Sequence, residues 1–304
     1  VNFATDKPLN TSAIRPKNHR STGRITLNDV ALAAGVSPST VSRALRGERA
    51  VDPDLVAQVL AVSDKLGYVP DPAARALASQ RSDHVTILIP LLSNTLFVDL
   101  LEAAQRTLRA AGFQTLMGVT HYNNSEEEQL MREQLHHRPA GMLITGLDHS
   151  EATQKLMARS NVPCVHLMDL PNEIELNPSA NLDSEERLSG PYCVGFRQTD
   201  AGEAMTQHLI SKGKKRIVFA AAQLDPRVMQ RLNGWRKALK AKQLYDPTLE
   251  WLNPAPSSLA LGGLMLEQIM KQSPGVDAIF FCNDDLAQGA LLAAMRLNIS
   301  VPRQ

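Results

Sequence analysis

The run Ile25–Arg46, ITLNDVALAAGVSPSTVSRALR, constrains the fold more than any other stretch of the chain. It carries two helix-start signals separated by a tight turn. Thr26 is placed to cap a first helix, with Asp29 three residues on in a near capping-box position. Ser37 is placed to cap a second, with Pro38 at its first position, where a missing N–H costs nothing. Between them Gly35 supplies the residue where the first helix must stop and turn. Val30, Ala34, Val36, Val41 and Leu45 recur at spacings that give the two helices one small apolar seam. Ser39, Thr40, Ser42, Arg43 and Arg46 are left facing outward: small hydroxyls and long cations, with no acid among them. That is the outer face expected of the recognition helix in a helix-turn-helix.

Asp52-Pro53 repeats the cap-then-proline signal and predicts a third helix to about Leu66, ended by Gly67. Its Leu55, Val56, Val59, Leu60 and Leu66 would close the small core. Residues 1–24 lack periodicity and read as a disordered basic tail, so the helical domain spans 25–69. Residues 1–82 hold 11 Lys/Arg against 7 Asp/Glu, a net of +4, whereas the remainder is net −3. A basic head on a slightly acidic body points to a polyanion at the N-terminal end alone. Residues 70–82 form a hinge: Pro70 and Pro72 extend it, and Pro72–Ser79 is helix-rich but barely two turns, too short to be stable alone.

From His84 the pattern changes to short β-branched runs alternating with amphipathic helices. Strands are expected at Val85–Pro90, Phe113–Val119, Gly141–Thr145, Pro163–Met168, Arg216–Ala222, Thr248–Leu252 and Asp277–Cys282. Helices fall between them, including one capped by Ser125 with Glu128 and others near Thr199–Lys212, Val228–Lys242 and Asp285–Leu297. Residues 170–191, rich in Pro, Asn, Ser and Glu, read as an exposed insertion. The expected fold is therefore an all-α headpiece plus an α/β core of two doubly wound parallel-sheet lobes over 83–304, with ligands at the carboxyl ends of the strands.

Three segments in order, TLNDVALAAGVSPSTVSRALRG, LGYVPDPAARALASQRS and ILIPLLSNTLFVDLLEAAQRTLRAAGF, closely resemble the lactose-repressor (LacI) family of bacterial transcription regulators. The resemblance runs from about Arg24 to the last residue and implies a headpiece, a hinge and a periplasmic-binding-protein-like core. It implies that Pro38, Ser39 and Arg43 meet base edges in the major groove, and that Ser37, Thr40 and Ser42 meet phosphates. Thr26 and Arg75 join this DNA-binding set, and Leu77 matches the leucine wedged into the minor groove at the centre of a palindromic operator. In the core it implies an effector set of Ser93, Asn94, Phe97, Asp169, Arg231, Asn283 and Asp284. The register at Asp169 stays open by one residue, and Thr95-Leu96 stand where relatives carry Pro-Phe, so an aromatic role falls on Phe97 or disappears. Around His166–Asp169, Val194–Phe196 and Leu224-Asp225 the wording is similar to gluconate-type repressors, which implies a sugar or sugar-acid effector. Relatives continue beyond Ser300–Gln304, where the given sequence stops.

The implied partners are operator DNA and a small effector, with a homodimer or a tetramer as the assembly. No cofactor, metal or membrane is expected. Three widely spaced cysteines suit a reducing compartment, no apolar run approaches bilayer length, and the start is not a secretory signal, so the cytoplasm is expected. An α/β enzyme is the first rival, but the chain lacks Gly-x-Gly-x-x-Gly, phosphate-loop and Gly-x-Ser-x-Gly motifs, and His136-His137 lacks metal-ligand spacing. A free sugar-binding protein of the periplasmic kind is the second; the basic headpiece speaks against it.

Overall fold

The computed structural model describes residues 25–47, 51–70, 82–171 and 191–302. The chain divides into two compact units, residues 1–78 and 79–304.

In the first unit α1 (Leu27–Ala34), α2 (Pro38–Leu45) and α3 (Pro53–Leu66) pack around Val30, Ala34, Val41 and Val59, all buried. The local chemistry explains each boundary. Thr26 and Asp29 form a reciprocal capping box, the Thr26 amide donating to Asp29 Oδ2 at 2.8 Å. Ser37 Oγ accepts the Thr40 amide at 3.2 Å, and Asp52 Oδ1 the Asp54 amide at 2.8 Å. Gly35 and Gly67 take the left-handed conformation that ends α1 and α3. Gln58 Nε2 donates to the Ala34 carbonyl at 3.1 Å and ties α3 to the turn.

The second unit holds two parallel sheets. The first has β1 (His84–Ile89), β2 (Gln114–Val119), β3 (Gly141–Thr145), β4 (Cys164–Leu167) and β5 (Tyr192–Val194) in the order β2-β1-β3-β4-β5. It is served by α4 (Thr95–Ala110), α5 (Asn124–His136) and α6 (Glu151–Ser160). Strand β1 is an interior strand, paired with β2 and β3: Ile87, Leu88 and Ile89 are buried between helix layers, the pattern of a parallel strand covered on both faces. The second sheet has β6 (Ile217–Ala222), β7 (Glu250–Asn253) and β8 (Ala278–Phe281) in the order β7-β6-β8. Helices α7 (Gln198–Ser211), α8 (Pro226–Ala241), α9 (Leu259–Gln272) and α10 (Asp284–Arg296) accompany it. Its core gathers Phe219, Leu232, Trp235 and Leu239, all fully buried.

The helical headpiece and the two-sheet α/β core are those expected. Three local readings change. Asn123, not Ser125, caps α5, its Oδ1 accepting the Ser125 and Glu126 amides at 2.8 and 3.2 Å, while Glu128 pairs with Arg132. Strand β5 was not expected; it exists through its pairing with β4, Val165 to Tyr192 and Leu167 to Val194. Helix α8 begins two residues earlier than expected, because Asp225-Pro226 is itself a cap-and-proline start: Asp225 Oδ1 accepts the Arg227 and Val228 amides at 2.9 and 3.1 Å. The bulk of the expected insertion, residues 172–190, lies outside the described residues, as do the tail 1–24 and hinge residues 71–81 with Arg75 and Leu77.

Candidate functional site

On the headpiece, Val41 and Ala44 point into the core and leave the opposite face of α2 free. Pro38, Ser39 and Arg43 are exposed there, and Thr40 and Ser42 are half-buried. Ser37 Oγ lies 2.8 Å from both Ser39 Oγ and Thr40 Oγ1, so three hydroxyls cluster at the helix start. Arg43 stands in the last turn, one turn beyond this cluster. Thr26 is exposed, but its hydroxyl donates to Asp29 Oδ2 at 2.7 Å. The exposed groups are donors with a cation, the set that meets phosphate oxygens and guanine edges.

In the core, a cleft of about 630 Å³ opens at the carboxyl ends of β1, β2, β3 and β6. Pro90 follows β1, Thr120 to Tyr122 follow β2, Thr145 and Gly146 close β3, and Gln223 to Arg227 lead from β6 into α8. This is where strand order reverses in a doubly wound sheet, the usual ligand position in such folds. The backbone is strained here. Of the non-glycine residues with positive φ, Arg138, Asn161, Gln243 and Asn298 sit at helix ends, whereas His121, Tyr122, Met168, Gln223 and Leu224 follow strands at the cleft. Left-handed backbone at such residues persists where the surroundings over-determine it, which is common at ligand sites. Gly195 belongs to the same construction: a Cβ there would lie 2.2 Å from the Asp169 amide nitrogen, so only glycine lets β5 close against the 168–169 peptide.

The lining is polar and unevenly charged. Glu127, Asp148, Asp169 and Asp225 supply four carboxylates, and Arg227 is the one Lys or Arg among the lining residues. Asp169 is buried, and burial pushes its carboxyl up, against the opposing pull of the Leu170 amide, Arg227 and Arg231. Burial also raises the Tyr122 phenol, which accepts from Arg227 Nη2 at 3.1 Å.

Of the effector positions implied by resemblance, Asp169 alone lines this cleft. Arg231 sits one turn further along α8 from Arg227, behind the lining. Its Nη1 donates to Gln198 Oε1 at 2.5 Å, and Gln198 Nε2 donates to the Met168 carbonyl at 2.8 Å, so it braces the peptide before Asp169. Burial lowers its pKa, and its buried Nε has no partner among the described residues. Asn94 caps α4 by accepting the Leu96 amide, and Ser93 is exposed beside it. Phe97 is buried against Ile87 and Ile89. Asn283 caps α10, accepting from the Leu286 amide and Ser257 Oγ, and Asp284 is exposed on that first turn. Caps and strand-end ligands share the same residue types, so sequence cannot separate the two uses. Arg227 and the Thr120–Asn123 turn were missed; the Asp225-Pro226 start was the signal for the first.

From the lining a buried chain runs inward: Glu127 Oε1 to His149 Nδ1 at 2.8 Å, and His149 Nε2 to His166 Nδ1 at 3.1 Å, with the Gly146 carbonyl near both rings. Burial pushes the His166 imidazole below its ordinary range, with the Gly146 carbonyl acting against it and His149 with it. The folded pKa then lies below the unfolded one, and between the two the unfolded chain binds more protons, so stability falls as pH drops below about 6.5. Asp169 works the other way, but only in the more acidic carboxylate range. The expected result is a melting temperature that declines between pH 7.5 and 5.5 in a thermal melt, with His166→Asn showing a shallower decline. His84, lowered by burial too, leaves some of the slope in place. An unchanged slope in the variant would assign the acid sensitivity elsewhere.

A headpiece with a recognition face and a two-lobed α/β core with a polar cleft together give the architecture of a DNA-binding regulator. Residues 26–71 match the family described as bacterial regulatory proteins, lacI family, and residues 82–303 match the periplasmic binding proteins and sugar-binding domain of the LacI family. The chain belongs to the LacI family of transcriptional regulators. It is 47% identical over 288 residues to the HTH-type transcriptional regulator GntR of Pseudomonas aeruginosa, covering 95% of this chain and 80% of that relative. The crystal structure of transcription regulator GntR from Chromobacterium violaceum is 45% identical with a TM-score of 0.64, covering 72% of this chain and 75% of that one. A LacI-family regulator structure from Silicibacter pomeroyi is 34% identical with a TM-score of 0.77, covering 92% and 80% respectively. These relatives are regulators rather than enzymes. Among the described residues no helix is long and apolar enough to cross a membrane, and no group of three or more His, Cys, Asp or Glu is arranged to hold a metal.

Proposed function

We propose that the protein is a cytoplasmic, dimeric repressor of sugar-acid catabolism genes, whose affinity for a palindromic operator is set by a sugar acid bound in the core cleft. The observation that carries it is the composition of that cleft: four carboxylates suited to hydroxyl groups and one arginine, on strand ends of both sheets. The GntR relatives, named as transcriptional regulators, support the regulatory part of the reading. Two headpieces reading two half-sites give the affinity that one short helix lacks. Effector binding shifts the population of core states and thereby the hinge spacing, a reciprocal coupling between two sites.

The test is a gel shift with DNA selected from a random pool by the full-length chain, titrated with D-gluconate, 2-ketogluconate, neutral sugars and purines. A change in operator affinity with a sugar acid supports the reading; a response confined to neutral sugars or purines overturns it. Arg231→Ala should keep operator affinity within about twofold while losing the effector response, since it cuts the Arg231–Gln198–Met168 link under the cleft and leaves every headpiece residue as it is. A retained response would remove Arg231 from the effector machinery.

A further inference from the structure

We propose that Arg227, clamped between Tyr122 and Phe97, receives the carboxylate of the effector and is the residue that separates sugar acids from neutral sugars. This rests on the reading that the cleft takes a sugar acid. It follows from where charge can go. The four cleft carboxylates repel an anion, and Arg227 is the one Lys or Arg of the lining, so electrostatics favours a ligand's carboxylate beside Arg227.

The arginine is placed and unsaturated for that task. Its side chain is 13% exposed, and the nearest acid, Asp225 Oδ1, lies 3.8 Å from Nε, beyond hydrogen-bond distance. Its other partners are neutral: Tyr122 Oη at 3.1 Å and Met168 Sδ at 3.7 Å. A structural arginine of the same unit looks different. Arg236 holds both oxygens of Glu250, at 2.7 and 2.6 Å. The Arg227 guanidinium therefore keeps donors for a further acceptor, in a site where a bidentate carboxylate is the matching group.

Its aromatic neighbours come from the other lobe. The Arg227 Cζ lies 5.6 Å from the Tyr122 ring centroid and 6.0 Å from that of Phe97, while its backbone belongs to the first turn of α8. Tyr122 follows β2 and Phe97 belongs to α4, so this side chain spans the two lobes of the core. A carboxylate bound there joins both lobes through one group, which links charge recognition to the lobe arrangement on which operator release depends.

The experiment is isothermal titration of the full-length chain with D-gluconate and with D-glucitol, which replaces the carboxylate by a hydroxymethyl group. The wild-type protein should prefer gluconate, and added NaCl should weaken gluconate binding more than glucitol binding. Arg227→Gln should lower gluconate affinity by about 10- to 100-fold, as expected for losing hydrogen bonds to a charged group, with glucitol affinity within about threefold. Arg227→Lys should recover part of the preference as a point charge without the fork. If Arg227→Gln fails to fold, as judged by circular dichroism, Arg227→Lys and Tyr122→Phe carry the comparison. Equal loss of both ligands would make Arg227 a packing residue, and an unchanged gluconate-to-glucitol ratio would place the carboxylate elsewhere; either overturns the assignment. A wild-type protein that binds glucitol and not gluconate would overturn the sugar-acid reading itself.

Discussion

Arg43→Ala should weaken operator binding by about 1–3 kcal/mol per half-site, and by on the order of twice that in the proposed dimer. The residue occupies the last turn of α2, a helix whose opposite side is anchored by Val41 and Ala44 in the headpiece core. Its side chain is exposed, so the substitution removes a contact group and leaves the packing intact. A long planar cation at that position suits the O6 and N7 edge of guanine. Affinity for random DNA should change little at matched salt, because phosphate attraction is spread over the ten other Lys and Arg residues of the net-positive stretch 1–82. Competition gel shifts with selected and random duplexes check this. Equal loss on both would turn Arg43 into a phosphate contact.

The second large effect concerns the crossing of α7 and α8. Gly234→Ala puts a methyl group 2.1 Å from the Thr199 carbonyl oxygen and 2.5 Å from the Glu203 amide nitrogen, both backbone atoms that cannot swing away. The contact is reciprocal, since a Cβ at Gly202 would lie 2.2 Å from the Arg231 carbonyl oxygen. The helices must separate, at about 1–3 kcal/mol or more by the usual cost of overpacking. The consequence reaches the cleft, because α7 carries Gln198 and α8 carries Arg227 and Arg231. Urea denaturation should show a lower midpoint for Gly234→Ala, with effector affinity reduced alongside. Gly202→Ala should do the same, and the double variant should cost less than the two combined, because the first methyl already opens the crossing. Wild-type stability in Gly234→Ala would show that the crossing tolerates a wider spacing.

The headpiece was legible because its instructions are local. A cap, a proline and a left-handed glycine act within four residues, so Thr26, Ser37-Pro38, Asp52-Pro53, Gly35 and Gly67 declare their roles without a partner. The strands of the core were legible for a related reason: a parallel strand covered on both faces must be apolar throughout, as Ile217–Ala222 is. Strand β5 was not, since Tyr192–Val194 is short, exposes Tyr192 and Val194, and owes its conformation to pairing with β4. The cap of α5 misled because Asn123 and Ser125 are both competent, and the turn that begins at His121 decides between them.

The effector set divides along the same line. The sequence by itself determined the headpiece, its outward cations and hydroxyls, the alternation of the core and the family to which they belong, because each rests on residue types at fixed short spacing. It could not determine which of two arginines four residues apart on α8 reaches the cleft, nor that Asn94 and Asn283 are spent on helix starts. Those depend on where the ends of β2, β4 and β6 come together, through Gly195 against the 168–169 peptide and the Gly202–Gly234 crossing. Only the tertiary structure decided that Arg227 lines the cleft and Arg231 holds Gln198, since one helical turn along α8 changes a side chain's neighbours from Tyr122 and Phe97 to Gln198.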